Sequence, residues 1–249
     1  MENTTPITPK ISLLLLTLDR YQMTKYCLTN MLDKAGFTDF ELLILDNGST
    51  DKRTINLSTE PSFPAVRSGS LTEKETNIGI AAGFNHLLRK SKGEYICFLS
   101  NDIFVFDNWL AELLHYNNEI EKAGLTTIFC EGDKGTYSPL LNTRDEFTSV
   151  WKPTKNVTNG ISLISRMALE DVGAFDETLG IYGREREQYA TRLANLGYNN
   201  FYIPDNYSVH LGREVNDTSE YRLMKLRSVQ ESASRYAESI KNKVNKIEL

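Results

Sequence analysis

The chain has 249 residues, 40% of them hydrophobic and 24% charged, enough for one large α/β domain or two small ones and unlike a disordered protein. Its 28 Lys and Arg against 33 Asp and Glu leave a formal net charge of -5, which argues against a nucleic-acid backbone bound by bulk charge. The 3 cysteines, Cys27, Cys97 and Cys130, lack zinc spacing and lie in apolar surroundings, so they read as reduced core thiols rather than a disulfide frame.

Met1 to Pro6 carries no basic n-region of a secretory leader, and the apolar run Ile11 to Leu18 is too short to cross a bilayer. The expectation is a cytoplasmic protein, with a peripheral membrane contact left open. That run is nearly unbroken, as in a strand buried on both faces of a parallel sheet, and it ends at Asp19-Arg20. Tyr21 to Ala35 has helical spacing (Met23, Cys27, Leu28, Met31, Leu32) and is closed by Gly36. Phe40 to Leu45 predicts a second buried strand, ending in Asp46-Asn47-Gly48-Ser49-Thr50-Asp51. Two acidic loops thus follow two strands on one sheet edge, where open parallel sheets bind ligands, although such residues also serve as ordinary caps and turns.

Ser58 to Thr72 predicts an irregular connection, and Ile80 to Arg89 a helix that carries Asn85 and has small residues near its start. Tyr95 to Leu99 predicts a strand that delivers Ser100-Asn101-Asp102 to its end. A carboxylate there is costly unless a cation or donor meets it, so Asp102 reads either as a ligand or as a turn residue before the next helix. That helix is expected from Asn108 to about Ala123, with Leu110, Leu113, Leu114 and Ile120 as its apolar positions. Leu125 to Cys130 and Asn159 to Ile164 predict strands, with an edge strand or hairpin between them in Glu131 to Pro153, and Arg166 to Val172 predicts a short helix. Tyr182 to Gln188 introduces a helix that turns Tyr189, Leu193 and Leu196 inward and ends at Gly197. Phe201 to Pro204 and Tyr207 to His210 predict two last strands. Asp217 to Leu249, charged and weakly amphipathic, predicts a helical tail that packs on the domain, mediates self-association or lies on a membrane.

Several segments together resemble glycosyltransferase family 2 with its GT-A fold, over about residues 11 to 212, with motifs like those of its rhamnosyltransferase subgroup. They are Thr17-Leu18-Asp19-Arg20, Asp46-Asn47-Gly48-Ser49-Thr50-Asp51, Asn77-Ile78-Gly79 with Asn85, Ser100-Asn101-Asp102 and Gly173-Ala174-Phe175-Asp176-Glu177. The resemblance implies a Rossmann-like, mostly parallel central sheet flanked by helices. Residues 1–215 would form the glycosyltransferase domain and residues 216–249 a C-terminal helical extension. It also implies an inverting transfer of sugar from a UDP-, dTDP- or GDP-sugar donor to a glycan, lipid-linked or protein acceptor. Thr17, Asp19, Arg20, Asp46, Asn77, Gly79 and Asn101 would bind the donor, and Asp102 with His210 would hold Mn²⁺ or Mg²⁺.

Ser100 stands where the family motif often has its first acid, leaving a one-carboxylate version. The family's base is an acid at the start of the helix after Phe-Asp-Glu, and here that pair has become Arg184-Glu185. Glu185 and Glu187 are the two candidates, while a solvated first turn of acids facing the helix dipole would also explain Arg184-Glu185-Arg186-Glu187. Arg184 or Arg186 is a candidate contact for a diphosphate or an anionic acceptor. A nucleotide- or glycan-binding module without turnover is the alternative. A nucleotidyltransferase is disfavoured, because no glycine-rich loop follows the first strand.

Overall fold

The computed structural model describes residues 9–51, 53–54, 57, 69–131, 160–211 and 219–241. Its strands are β1 (Ile11–Thr17), β2 (Phe40–Asp46), β3 (Gly69–Glu73), β4 (Tyr95–Leu99), β5 (Ile103–Val105), β6 (Ala123–Glu131), β7 (Ser162–Ser165) and β8 (Asn199–His210). Its helices are α1 (Tyr21–Asp33), α2 (Ile80–Leu88), α3 (Trp109–Glu119), α4 (Arg166–Val172), α5 (Glu185–Asn195) and α6 (Ser219–Lys241), with a 3-10 turn at Glu177–Leu179. The strands form one sheet in the order β3-β2-β1-β4-β7-β6-β8-β5. The pairs β3-β2, β2-β1, β1-β4 and β6-β8 are parallel, whereas β4-β7, β7-β6 and β8-β5 are antiparallel.

Alternate residues of the central strands explain their continuous apolar runs. Leu13, Leu15, Leu42, Ile44, Cys97 and Leu99 face a core closed by Cys27, Leu28 and Met31 of α1 and by Trp109, Leu110 and Leu113 of α3. Leu14, Leu43, Leu45, Ile96 and Phe98 face the opposite core, closed by α2, α4 and α5. Both faces are covered, so both phases of the strands are apolar through their middles, and the polar residues Ser12, Glu41, Thr17 and Asp46 sit near the strand ends. Among the described residues, no helix is long and apolar enough to cross a membrane.

Several elements depart from the sequence expectations. Gly69–Glu73, assigned in part to an irregular connection, pairs in parallel with β2 from Leu42↔Gly69 to Asp46↔Glu73. The helix expected to reach Ala123 stops at Glu119, and Ala123 instead opens β6. Phe201 to Pro204 and Tyr207 to His210 belong to one strand. Between Thr127↔Tyr202 and Phe129↔Tyr207 the register jumps, and this bulge accommodates Pro204, which has no N–H for a ladder. Leu196, expected to turn inward, is 49% exposed because it caps α5 rather than continuing it. The segment 132–153 lies outside the described residues.

The entry to β4 is tightly packed. Buried Glu41 accepts hydrogen bonds from Ser12 Oγ (2.6 Å) and the Lys92 amide (2.7 Å), and Ser12 Oγ accepts from the Gly93 amide (2.8 Å). A Cβ on Gly93 would lie 2.4 Å from the Ser12 nitrogen and 2.7 Å from the Ile11 carbonyl carbon, both backbone atoms. Gly93→Ala is therefore expected to cost about 2–4 kcal/mol, read as a lower urea midpoint at unchanged slope.

Candidate active site

The turn between β1 and α1 uses two non-glycine residues with positive φ, Asp19 (52°) and Arg20 (56°). Such a conformation costs on the order of 1–3 kcal/mol per residue and persists only where neighbours over-determine it. Asp19 Oδ1 accepts from the Thr50 amide (2.7 Å), Thr50 Oγ1 (3.0 Å) and the Asp51 amide (3.0 Å), while the Asp19 amide donates to Ser49 Oγ (2.7 Å). The loops after β1 and β2 are thus tied to each other. The turn sends Arg20 toward Asp102, with Nη1 3.6 Å from Oδ2.

Asp102 also meets His210, whose Nε2 lies 3.3 Å from the same oxygen. The two residues are joined through the backbone as well, since β5 pairs with the end of β8 and the Leu211 amide donates to the Asp102 carbonyl (2.8 Å). Burial alone would raise the Asp102 carboxyl. The hydrogen bond from His210 and the charges of His210, Arg20 and Lys225 outweigh it and hold the group below its ordinary value.

At 3.3 Å, one cation can touch both Asp102 Oδ2 and His210 Nε2, and His210 Nδ1 is buried without a partner among the described residues. A carboxylate oxygen beside an imidazole nitrogen suits Mn²⁺ better than Mg²⁺, which takes oxygen ligands. No cluster of three His, Cys, Asp or Glu side chains exists among the described residues, so such an ion would draw its remaining ligands from phosphate and water.

These groups line a cavity of about 180 Å³ that Gly183, Glu185 and Arg186 at the N-terminus of α5 line as well. There Glu185 is 4% exposed, and its Oε1 has no hydrogen-bond partner among the described residues. Burial pushes its carboxyl up to about 8, against the opposing pull of its own and Gly183's backbone N–H groups and of the Arg186 charge. Arg186 is itself buried, with its guanidinium 5.5 Å from the Phe84 ring and 5.7 Å from the Phe98 ring, and Nη1 donates to Ser162 Oγ (3.2 Å).

Thr17, Arg20, Asn77, Asn101, Asp102, His210 and Glu185 all line this cavity. Thr17 and Asn101 share a contact to the Thr24 hydroxyl, at 3.1 and 3.0 Å. Asn77 Oδ1 accepts from Asn47 Nδ2 (3.0 Å) and from the Gly79 amide (2.9 Å). Asp19, Asp46, Gly79 and Glu187 are not on the cavity wall. Asp19 acts as the loop tie described above, and Gly79 caps α2 while its carbonyl accepts from Asn47 Nδ2 (3.3 Å). Asp46 is fully buried behind the wall, with Oδ1 on the Ser49 amide (2.8 Å) and Oδ2 without a partner among the described residues. Glu187 pairs with Arg184 at 2.7 Å instead of facing the cavity. Tyr182 and Lys225 line the cavity without having been singled out in the sequence. No motif marks either one.

The model for glycosyl transferase family 2 matches residues 12–173, well over half of the chain. The chain therefore belongs to that family. It is 27% identical over 206 residues to the O-antigen biosynthesis protein RfbC of Myxococcus xanthus, a match covering 72% of this chain and 16% of that protein. It is 22% identical over 226 residues to the uncharacterized protein y4gI of Sinorhizobium fredii, covering 79% and 24%. The chain thus spans less than a quarter of the length of these curated relatives.

Among solved structures it resembles the mannosyltransferase PcManGT from Pyrobaculum calidifontis in complex with GDP-Man and Mn²⁺. The TM-score is 0.69 and the identity 20%, covering 95% of this chain and 65% of that one. It also resembles GalNAc-T7 with UDP, GalNAc and Mn²⁺, with a TM-score of 0.70 and 14% identity, covering 94% and 48%. The fold is of the GT-A type, as the sequence motifs implied.

Because Asp19 supports the turn that presents Arg20, Asp19→Ala should act at one remove from the cavity. Loss of its three accepted hydrogen bonds is expected to cost about 1–2 kcal/mol in urea unfolding. A variant of unchanged stability would show that the turn holds without this tie.

Proposed function

We propose that this member of glycosyl transferase family 2 moves a sugar from a nucleotide-sugar donor to an acceptor hydroxyl in one inverting displacement. Glu185 is the base, and Asp102 with His210 holds a divalent cation. One observation carries the reading: a single cavity is lined both by an Asp102–His210 pair able to share an ion and by a buried carboxyl with an oxygen unpartnered among the described residues. The nucleotide, sugar nucleotide and Mn²⁺ named for the similar structures support the donor class and the cation.

Thr17, Asn77 and Asn101, at or just past the ends of β1, β3 and β4, would receive the base and ribose. Asp46, buried behind them, would support this edge through the Ser49 amide it holds rather than by touching the base. Arg20 offers a planar fork of donors to the diphosphate. A bound cation would supply Lewis-acid stabilisation of the charge that develops on the departing diphosphate. Glu185 takes the proton of the acceptor hydroxyl as it attacks the anomeric carbon, because a neutral alcohol is a weak nucleophile. Glu187, tied to Arg184, is left with a structural part.

A thermal-shift panel of UDP-, dTDP- and GDP-sugars with Mn²⁺, followed by assays of nucleotide release, tests the reading. Binding without release in the presence of acceptor glycans would sink the enzyme and leave a binding module. Asp102→Ala is expected to abolish metal-dependent transfer while leaving the unfolding midpoint near that of the unaltered chain. Retained transfer would remove Asp102 from the mechanism.

Glu185→Gln should lower kcat by roughly 10²–10⁴-fold. The rate of the unaltered enzyme should rise with pH through about 8, where the buried carboxyl gives up its proton. Stability moves the opposite way. Between the ordinary 4.5 and about 8 the folded chain keeps a proton that the unfolded chain has lost, so the fold loses stability as pH rises through that window. Glu185→Gln removes this slope, and its urea midpoint should exceed that of the unaltered chain at pH 9. Equal midpoints there would mean that Glu185 ionises in the fold without cost.

A further inference from the structure

Helix α5 carries two buried arginines, and they are met differently. Arg192, 5% exposed, donates to the Ala174 carbonyl (2.6 Å) and to the Val172 carbonyl, and it does not line the cavity. It is a core arginine that ties α5 to the end of α4. Arg186, 6% exposed, does line the cavity, and its one hydrogen bond among the described residues goes to Ser162 Oγ (3.2 Å). No carboxylate among the described residues forms an ion pair with it. Its neighbour Glu185 does not supply the balance at neutral pH, because burial pushes that carboxyl up to about 8 and keeps it protonated.

The guanidinium is nevertheless held in place. It lies within cation–π reach of Phe84 and Phe98, rings that pack edge to face at 5.1 Å and that both meet Phe175. Ser162 Oγ is held in turn by the Thr127 hydroxyl (3.0 Å). Packing alone does not call for a cation here, since an apolar side chain would cover this aromatic floor without the cost of burying a charge. A fixed guanidinium at a cavity wall is suited to an anion that enters the cavity. Its planar fork of donors matches a carboxylate, which accepts two parallel hydrogen bonds.

The place of Arg186 says which part of the substrates carries that anion. The diphosphate is provided for at Asp102, His210 and Arg20, whereas Arg186 follows Glu185 directly in the chain and shares its cavity. On the reading given above, the base stands where the acceptor hydroxyl meets the anomeric carbon. Arg186 therefore faces the reacting sugars and not the nucleotide.

We propose that Arg186 receives a carboxylate carried by one of the two reacting sugars, so that the enzyme selects a uronic acid as its donor sugar or as its acceptor. This rests on the nucleotide-sugar reading and adds to it the class of sugar.

The test is calorimetric titration of the full chain in Mn²⁺ with sugars matched except for the carboxylate. The donor arm compares UDP-glucose with UDP-glucuronate, UDP-galactose with UDP-galacturonate, and GDP-mannose with GDP-mannuronate. The acceptor arm, in saturating UDP or GDP, compares the methyl glycosides of the same neutral and acidic sugars. In one arm the acidic member of a pair is expected to bind about 10–100-fold more tightly than the neutral one. In Arg186→Met that preference should shrink to within about twofold, with the affinity of the neutral sugar kept. Arg186→Gln repeats the removal of charge with a polar side chain, and Arg186→Lys, which keeps the charge but not the fork, should retain part of the preference.

Equal binding within every pair of both arms overturns the proposal in the unaltered chain, whatever the variants do. A preference for the acidic sugar that survives in Arg186→Met or Arg186→Gln also overturns it and leaves the donor reading standing. If none of UDP, GDP, dTDP and the nucleotide sugars binds the unaltered chain, the donor reading falls and this inference falls with it.

Discussion

The ladder that places β1 between β2 and β4 governs the rest of the molecule. Ile11 is opposite both Phe40 and Tyr95, so three parallel strands run in register and discharge their following loops at one edge of the sheet. Both faces of these strands are sealed by helices, which leaves no room for an uncompensated charge along their length. Polar and acidic residues are therefore displaced to the strand ends. Asp19, Asp46 and Asp102 collect there as a direct result of strand burial, before any demand of catalysis is considered.

Collecting carboxylates at one edge requires groups to receive them, and the three are received differently. Asp19 is met by the backbone and hydroxyl donors of the Thr50–Asp51 turn. Asp46 is met on one oxygen by the Ser49 amide and on the other by nothing among the described residues. Asp102 is met by two side chains, one delivered by a strained turn and the other by the end of β8. This gradient separates structure from chemistry. Asp19, tied through one oxygen to the Thr50–Asp51 turn, holds the loops, while Asp102, which lines the cavity, is the one a ligand can still engage.

The parallel half of the sheet was legible in sequence because unbroken apolar runs such as Leu13 to Leu16 permit few other readings. Gly69–Glu73 was not legible. Its ladder with β2 is a backbone interaction, and with one leucine in five residues it gives no periodic signal. The choice between Glu185 and Glu187 was equally closed to sequence. Residues two apart in a helix point about 200° from each other, so one faces the cavity and the other faces away, but the phase is set by how α5 docks on the sheet. Docking buries Glu185 and leaves Glu187 to Arg184. Lys225 was hidden for a related reason. In a tail rich in lysine and arginine, nothing in the sequence marks Lys225 as a residue that the seat of α6 turns toward the cavity.

The Glu185–Arg186 step shows how such a site is sustained. A guanidinium beside a carboxyl ordinarily keeps it ionised, yet here burial prevails and the carboxyl is pushed up to about 8. Arg186 is occupied elsewhere, lying against Phe84 and Phe98 and donating to Ser162, and burial pushes it down to about 10, where it remains charged at neutral pH. The pair is held close but is not allowed to relax into a bidentate bridge. A relaxed bridge would be more stable and chemically inert, since its carboxylate would already be satisfied. Keeping the carboxyl dry and short of partners costs stability above the carboxylate range, and the paired apolar cores on either face of the sheet offset that cost.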